Sequence, residues 1–443
     1  MSDTPIIGFI KEYNAGGTSR LHMPGHKGVP LLGAEELDIT EIKGADQLYE
    51  PEGIIARSEA EMSSLYGSAA TLYSTEGSSL SIKGMLAAAH ELTGGLRPAA
   101  ARNCHRAFIN GCVLLDIDPV WIFPSKARES ICAADVTAED VRRTLEAHPE
   151  LNAVYITSPD YIGSLTDIKG IAEACHERGA LLLVDNAHGA YLRFAGEGLH
   201  PLEQDADLCC DSAHKTLPCL TGTGLLHISK SAPRELCGIA KEAMSLFAST
   251  SPSYVLMSSL DRCTYELKNG LPERIRECCG RVSHMKAELS AAGFGIFGDE
   301  PMKLTVSALS KGYKGNDLAE YLRGNNIESE YSDDLCTVLM PSPCNKPEEL
   351  EGLVKVLKAL PEKEPIALPR PVLVIPEKKM TLREAYFSPR ERIPVEEAAG
   401  RICARSVLSC MPSVPAAVGG EIIDENLIKF LKRYSFFEAD VVK

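Results

Sequence analysis

Four polar clusters interrupt apolar stretches of this 443-residue chain, and their side chains are of kinds that do chemistry. In "DSAHKTLPCLTGTG", residues 211–224, Lys215 is the only charged side chain after the leading aspartate, and it stands among hydroxyls, Ser212, His214 and glycines. A lysine behind an apolar run, away from other charges, suits a nucleophile, because partial desolvation favours the unprotonated amine. Upstream, "VDNAHG" closes another apolar run with Asp185. A carboxylate there can cap a turn, or hold a positive charge such as a protonated ring nitrogen. In "STEGSSLS", residues 74–81, Gly77 precedes Ser78 and Ser79 where a helix begins. Free backbone N–H groups, the helix dipole and hydroxyls together suit an anion. No Gly-Lys-Ser/Thr follows, so this is not a nucleotide P-loop. Lastly, "ARNCHRA" brings His105 to the start of another helix.

Each cluster alone has a plain structural reading as a cap or a turn. Their order and combination point to pyridoxal phosphate. Lys215 supplies the amine that links to the aldehyde, and Asp185 keeps the pyridine nitrogen protonated so that the ring can absorb electrons. The serine-rich helix start takes the phosphate, and an imidazole such as His105 can stack on the ring.

Short strands must position these side chains. "DPVWIFP", "LNAVYITSP", "ALLLVDNAHG" and "ADLCCDSAH" read as strands, separated by helices such as "TAEDVRRTLEAHP" with its Thr cap. Continuous apolar strands alternating with helices predict an α/β fold, a mostly parallel sheet covered by helices on both faces. Ligands in such sheets bind beyond the carboxyl ends of the strands. "EGIIARSEAEMSSLYG" predicts a helix closed by Gly67, and "SSLSIKGMLAAAHELTGG" another with Ser78 or Ser79 as N-cap. The boundaries read as an irregular N-terminal arm (1–40), a large cofactor-binding domain (41–295) and a small α+β domain (296–360). An extended linker with five prolines (361–376) then leads to a small C-terminal domain (377–443).

Composition excludes some classes. A formal net charge of −15 argues against nucleic-acid or anionic-membrane surfaces. No apolar run approaches the roughly 18 residues of a membrane span, and the N-terminus lacks the basic-then-apolar pattern of a secretion signal. The 15 cysteines show no C-x-x-C pair, and are expected to be reduced core residues in a cytoplasmic protein, with no metal.

The motifs "LHMPGHKG", "DITEIKGADQLYEPEG", "TEGSS", "RNCHRA", "ITSPDYIG", "VDNAHGAYLRF", "DSAHKTLPCLTGTG", "STSPSYVLMSSLD" and "REAYFSPRERIPVEEAAGRICA" span nearly the whole chain. Through them it resembles the Orn/Lys/Arg decarboxylases, fold-type-I pyridoxal-phosphate enzymes, in their short bacterial form without an N-terminal wing domain. The resemblance implies α-decarboxylation of lysine, arginine or ornithine, giving CO₂ and a diamine or agmatine as a polyamine precursor. It implies Lys215 as the Schiff-base lysine, Asp185 on the pyridine nitrogen, and His105 stacking on the ring with Ala187 on its other face. Gly77, Ser78, Ser79, Ser212 and His214 would surround the phosphate, and His188 the substrate-bound cofactor. Thr250 and Ser251 would reach the neighbouring subunit's cofactor in a homodimer or higher even-numbered oligomer. Glu421 would meet the substrate's distal cation. Three departures stand out: Gly222 where the family shows glutamine, Glu76 where it shows asparagine, and "CMPSVPAAVGGEIID" without its Pro-Gly. Other readings are a different fold-type-I reaction, such as an aminotransferase or aldolase, and a cofactor-binding paralogue with little activity.

Overall fold

The structure, a computed structural model, describes residues 3–124, 130, 132–133, 136–368, 375–408 and 414–443. Its first seven strands are β1 (Ala70–Ser74), β2 (Pro98–Ala101), β3 (Val120–Ile122), β4 (Ala153–Thr157), β5 (Leu181–Asp185), β6 (Leu208–Asp211) and β7 (Gly224–Ile228), of which β3 to β6 are the four read from the sequence. Helices α1 (Pro5–Ala15), α2 (Ile54–Tyr66), α3 (Gly77–Thr93) and α4 (Arg106–Leu115) precede or separate the first of them. By packing, the chain forms two units, Met1–Leu96 with Leu181–Arg276, and Arg97–Ala180 with Glu277–Lys443.

In the first unit the strands run β1-β7-β6-β5. β5 and β6 are parallel, whereas β7 is antiparallel to both β6 and β1. The reversal has a simple cause: between β6 and β7 there is only the lysine-bearing turn, with no room for a crossover helix. β5, β6 and β7 are buried along their whole length. The helix expected to close at Gly67 does so, with that glycine left-handed at φ 71°. Neither Ser78 nor Ser79 is the N-cap of α3, which is Glu76. The serines therefore fall inside the first turn, where their hydroxyls can face a ligand. The N-terminal arm is also not irregular throughout. Residues 5–15 form α1, with Ile6 and Ile10 buried and the helix packed on α2 and on Tyr254–Lys268.

In the second unit β4, β2 and β3 lie side by side, all parallel. A four-stranded antiparallel sheet follows, from Gly295–Phe297, Leu304–Ser307, Tyr331–Ser332 and Thr337–Leu339, with helices Gly315–Gly324 and Pro347–Lys358. Toward the C-terminus, Arg390–Pro394 pairs with Glu438–Val442, and Glu425–Arg433 is helical. Val338, Val395, Cys403, Ile423, Leu427 and Val441 pack into one apolar cluster, so the two small C-terminal segments share a core. Residues 361–368 of the proline-rich stretch carry no helix or strand, and the Lys363 and Ile366 amides bond to the Lys311 and Leu309 carbonyls. Residues 369–374 of that linker, and 410–413 of the altered C-terminal motif, lie outside the described residues. Among the described residues no helix is long and apolar enough to cross a membrane.

Candidate active site

Two adjacent strand ends in the first unit carry Asp185, His188 and Lys215, three of the expected side chains. β5 ends at Asp185, only 1% exposed, whose Oδ1 accepts from the Ala187 amide at 3.1 Å and from the Cys210 thiol at 3.6 Å. In the turn that follows, Asn186 O accepts from Gly189 N at 2.7 Å, which carries His188 at the bend. β6 leads into Ser212 and the one-turn helix Ala213–Thr216, where Lys215 N bonds to Ser212 O at 3.1 Å. The two turns meet through side chains, with Lys215 Nζ 3.0 Å from His188 Nε2. Lys215 is half-buried, and His188 buried. An amine in contact with an imidazole can exchange a proton with it, which is what a nucleophilic lysine requires.

The anion loop lies against the same turns. Ser212 Oγ donates to Ser78 Oγ at 2.7 Å, and Ser79 is half-buried next to it in α3. Gly77 is left-handed (φ 65°), and a Cβ there would come 3.7 Å from His214 Cε1. His214 Nδ1 contacts Thr223 O at 2.7 Å, and burial, with Lys215 beside it, lowers its pKa from the usual imidazole value. The loop after the lysine comes closer still: a Cβ on Gly224 would stand 2.6 Å from the Gly77 carbonyl carbon. Gly222, where the family shows glutamine, has φ 100° and accepts from Gly77 N at 2.6 Å. That backbone conformation favours glycine. Glu76, the other local departure, is exposed and accepts from Ser249 N at 2.9 Å.

The remaining expected residues stand elsewhere. Thr250 and Ser251 are exposed, in the loop before Tyr254–Lys268. His105, in the second unit, is the N-cap of α4, its Nδ1 accepting from Ala107 N at 3.1 Å. Glu421 departs from its expected role. It is 2% exposed, and its oxygens receive Arg102 at 2.5 and 3.2 Å and the Val418 amide at 2.8 Å. The Arg102 guanidinium also lies 5.0 Å from the Trp121 ring centroid. A carboxylate already neutralised by a buried arginine is a poor reader of a substrate's distal cation. The expectation for Glu421 is therefore corrected to an internal ion pair.

Sequence reasoning missed the residues behind the lysine. Asp211 is fully buried and accepts from Asn186, His200 and His227. Its motif position was legible, but His200 and His227 carried no local signal.

Pyridoxal phosphate fits this donor set. The N-terminus of a 17-residue helix with a paired serine hydroxyl suits the phosphate, and Gly224 lets the loop after the lysine pack against the Gly77 backbone at that helix start. A buried carboxylate suits a cationic ring nitrogen, and the amine at 215 suits the aldehyde. Asn186 Oδ1 and Thr216 Oγ1, flanking these groups, are buried without a partner among the described residues. Comparison with known proteins agrees. Over 97% of its length the chain is 28% identical to an arginine decarboxylase of Bacillus subtilis (strain 168), covering 93% of that protein. An arginine decarboxylase of Halalkalibacterium halodurans matches at 28% over the same shares. The fold is that of lysine decarboxylase A from Pseudomonas aeruginosa, with a TM-score of 0.82, 16% identity, and 99% of this chain aligned to 80% of that one. Residues 4–303 match the family model described as Orn/Lys/Arg decarboxylase, major domain, and the chain belongs to that family of pyridoxal-phosphate amino-acid decarboxylases.

Proposed function

We propose that the chain removes the α-carboxylate of arginine, releasing CO₂ and agmatine, in a cytoplasmic homodimer that feeds polyamine synthesis. The observation that carries the chemistry is the 3.0 Å contact of Lys215 Nζ with His188 Nε2 beside the buried Asp185. Arginine is favoured over lysine and ornithine by the near full-length relatives named for it.

When bound, the cofactor supplies the electron sink that makes loss of CO₂ feasible. The chain's residues do the rest. Lys215 binds the aldehyde, and His188 takes or returns a proton at Lys215 Nζ. Asp185 holds a proton on the ring nitrogen, where negative charge would otherwise be costly. The first turn of α3, with Gly77, Ser78 and Ser79, binds the phosphate together with Ser212 and His214. Ala187 follows Asp185 on the turn and, on the family pattern, would pack against one face of the ring. On the family pattern alone, Thr250 and Ser251 would serve the partner's site. Their exposure here, and that of Leu21, Leu31 and Leu32 at 94, 75 and 95%, is consistent with a surface covered by a second copy.

The deciding experiment is a CO₂-release panel with arginine, lysine and ornithine on the purified chain plus pyridoxal phosphate. Borohydride trapping and mass mapping accompany it. CO₂ and agmatine from arginine, with the reduced adduct on Lys215, are expected. Release from lysine alone would transfer the proposal to that substrate. No release from any of the three, or an adduct on another lysine, would refute it.

A further inference from the structure

The turn carrying His188 and the turn carrying Lys215 belong to different strands, so their 3.0 Å contact needs something to hold it. One buried carboxylate reaches both. Asp211 is the last residue of β6, immediately before Ser212, and its side chain is 0% exposed. Its Oδ1 accepts from Asn186 Nδ2 at 2.6 Å. Asn186 is also the residue whose carbonyl closes the turn over His188. The other oxygen, Oδ2, is held by His200 Nε2 at 3.3 Å and His227 Nε2 at 3.0 Å, both rings fully buried.

The His200 tautomer follows from its outer contact. His200 Nδ1 accepts from the Leu202 amide at 3.3 Å, so its Nε2 carries the proton that Asp211 receives. His227 Nδ1 meets Thr71 Oγ1 at 2.9 Å, and its ring lies 4.3 Å from that of Tyr66. Burial opposes the charge on Asp211, but the two histidines and their hydrogen bonds prevail and hold its pKa well below the usual carboxylate range. His200, Cys209 and Asp211 also bring ligand atoms within 4.8 Å of one another, a spacing a metal ion could use. Two facts favour a hydrogen-bond network over a metal site. Burial pushes the Cys209 thiol well above its ordinary range, and the His200 Nε2 lone pair is already committed to a proton.

We infer that Asp211 is a positioning residue: anchored by His200 and His227, it fixes through Asn186 the spacing of His188 against Lys215. This rests on the proposed reaction only for its effect on turnover. Misplacing reacting groups by an ångström can cost about 100-fold in rate.

The test uses the full chain, wild type, Asn186→Ala and Asp211→Asn. Acetic anhydride labelling, mass-mapped before and after cofactor removal, gives the rate at Lys215 relative to exposed Lys230. Melting temperature reports folding. In Asn186→Ala, which leaves Asp211 and its histidines in place, the labelling ratio should change by about threefold or more, as the Lys215 contact loosens. Turnover should fall by about 10- to 100-fold, with KM within about threefold of wild type. Asp211→Asn, if folded, should show the same pattern more strongly. If it does not fold, Asn186→Ala decides. A folded Asn186→Ala with the wild-type labelling ratio overturns the inference, whatever its melting temperature. The labelling needs neither cofactor nor turnover, so a chain that released no CO₂ would sink the proposed reaction without deciding this one.

Discussion

Arg102 and Glu421 are 319 residues apart in sequence, yet both oxygens of the carboxylate face the guanidinium in a buried site. A pair of this kind is expensive to break from one side, because the surviving charge stays buried. Removing one partner typically costs about 3–5 kcal/mol. Glu421→Gln is therefore expected to lower stability by about that much in denaturant unfolding. Adding Arg102→Met to it should recover part of the loss, since no unpaired charge then remains. A Glu421→Gln protein of undiminished stability, with KM for arginine raised tenfold or more, would return Glu421 to the substrate. At this scale the family pattern points Glu421 at the substrate, whereas the structure pairs it with Arg102.

Among the elements, α1 shows how a helix can depend on a distant residue. Thr4 supplies no side-chain cap, and the amides of Ile6 and Ile7 instead donate to Asp261 Oδ2, both at 3.1 Å. Asp261 also accepts from Ser58 Oγ at 2.7 Å on α2, so one carboxylate joins three helices. Hydrogen bonds to a charged acceptor contribute about 1.5–3 kcal/mol. Asp261→Ala should accordingly release α1, seen as faster hydrogen exchange across residues 5–15, with β5 and β6 unaffected. Equal exchange in both proteins would show that Ile6 and Ile10 alone dock the helix.

The same carboxyl sets a pH dependence. Burial, despite its hydrogen bonds, pushes the Asp261 pKa up to about 6, above the usual 3.8. Between those values the folded chain binds more proton than the unfolded chain, so this group's contribution is complete below about pH 4 and lost as pH rises through about 6. The unfolding free energy of wild type relative to Asp261→Asn should fall across that window and level off above it. A difference that is flat from pH 4 to 7 would contradict the raised value.

For the whole molecule, the testable property is assembly through the loop with Thr250 and Ser251. If the loop with Thr250 and Ser251 completes a neighbour's phosphate site, an isologous dimer carries two composite sites. A cofactor bound only by the assembled form shifts the equilibrium toward it. Sedimentation at micromolar chain should show the dimer fraction rising on addition of pyridoxal phosphate, and Thr250→Ala with Ser251→Ala should weaken that response. A monomer that is fully loaded and active would rule out the shared site.

Much of this protein was legible in its sequence for one reason: the signals are local. Apolar runs ending in Asp185 and Asp211, a glycine and serines at a helix start, and a lone lysine in a turn each declare their chemistry within a few residues. The α/β alternation and the Gly67 stop were read the same way, and the structure has them. Tertiary structure decided the rest. That Ser78 faces Ser212 instead of capping its helix, that α1 forms within a segment read as an arm, and that Asp261 caps it are all contacts over long stretches of chain. So are the hold of His200 and His227 on Asp211 and the pairing of Glu421 with Arg102. A sequence pattern records what each residue prefers beside its neighbours. Which buried charge finds which partner depends on where the packed strands and helices bring them, because desolvation makes only the paired arrangement affordable.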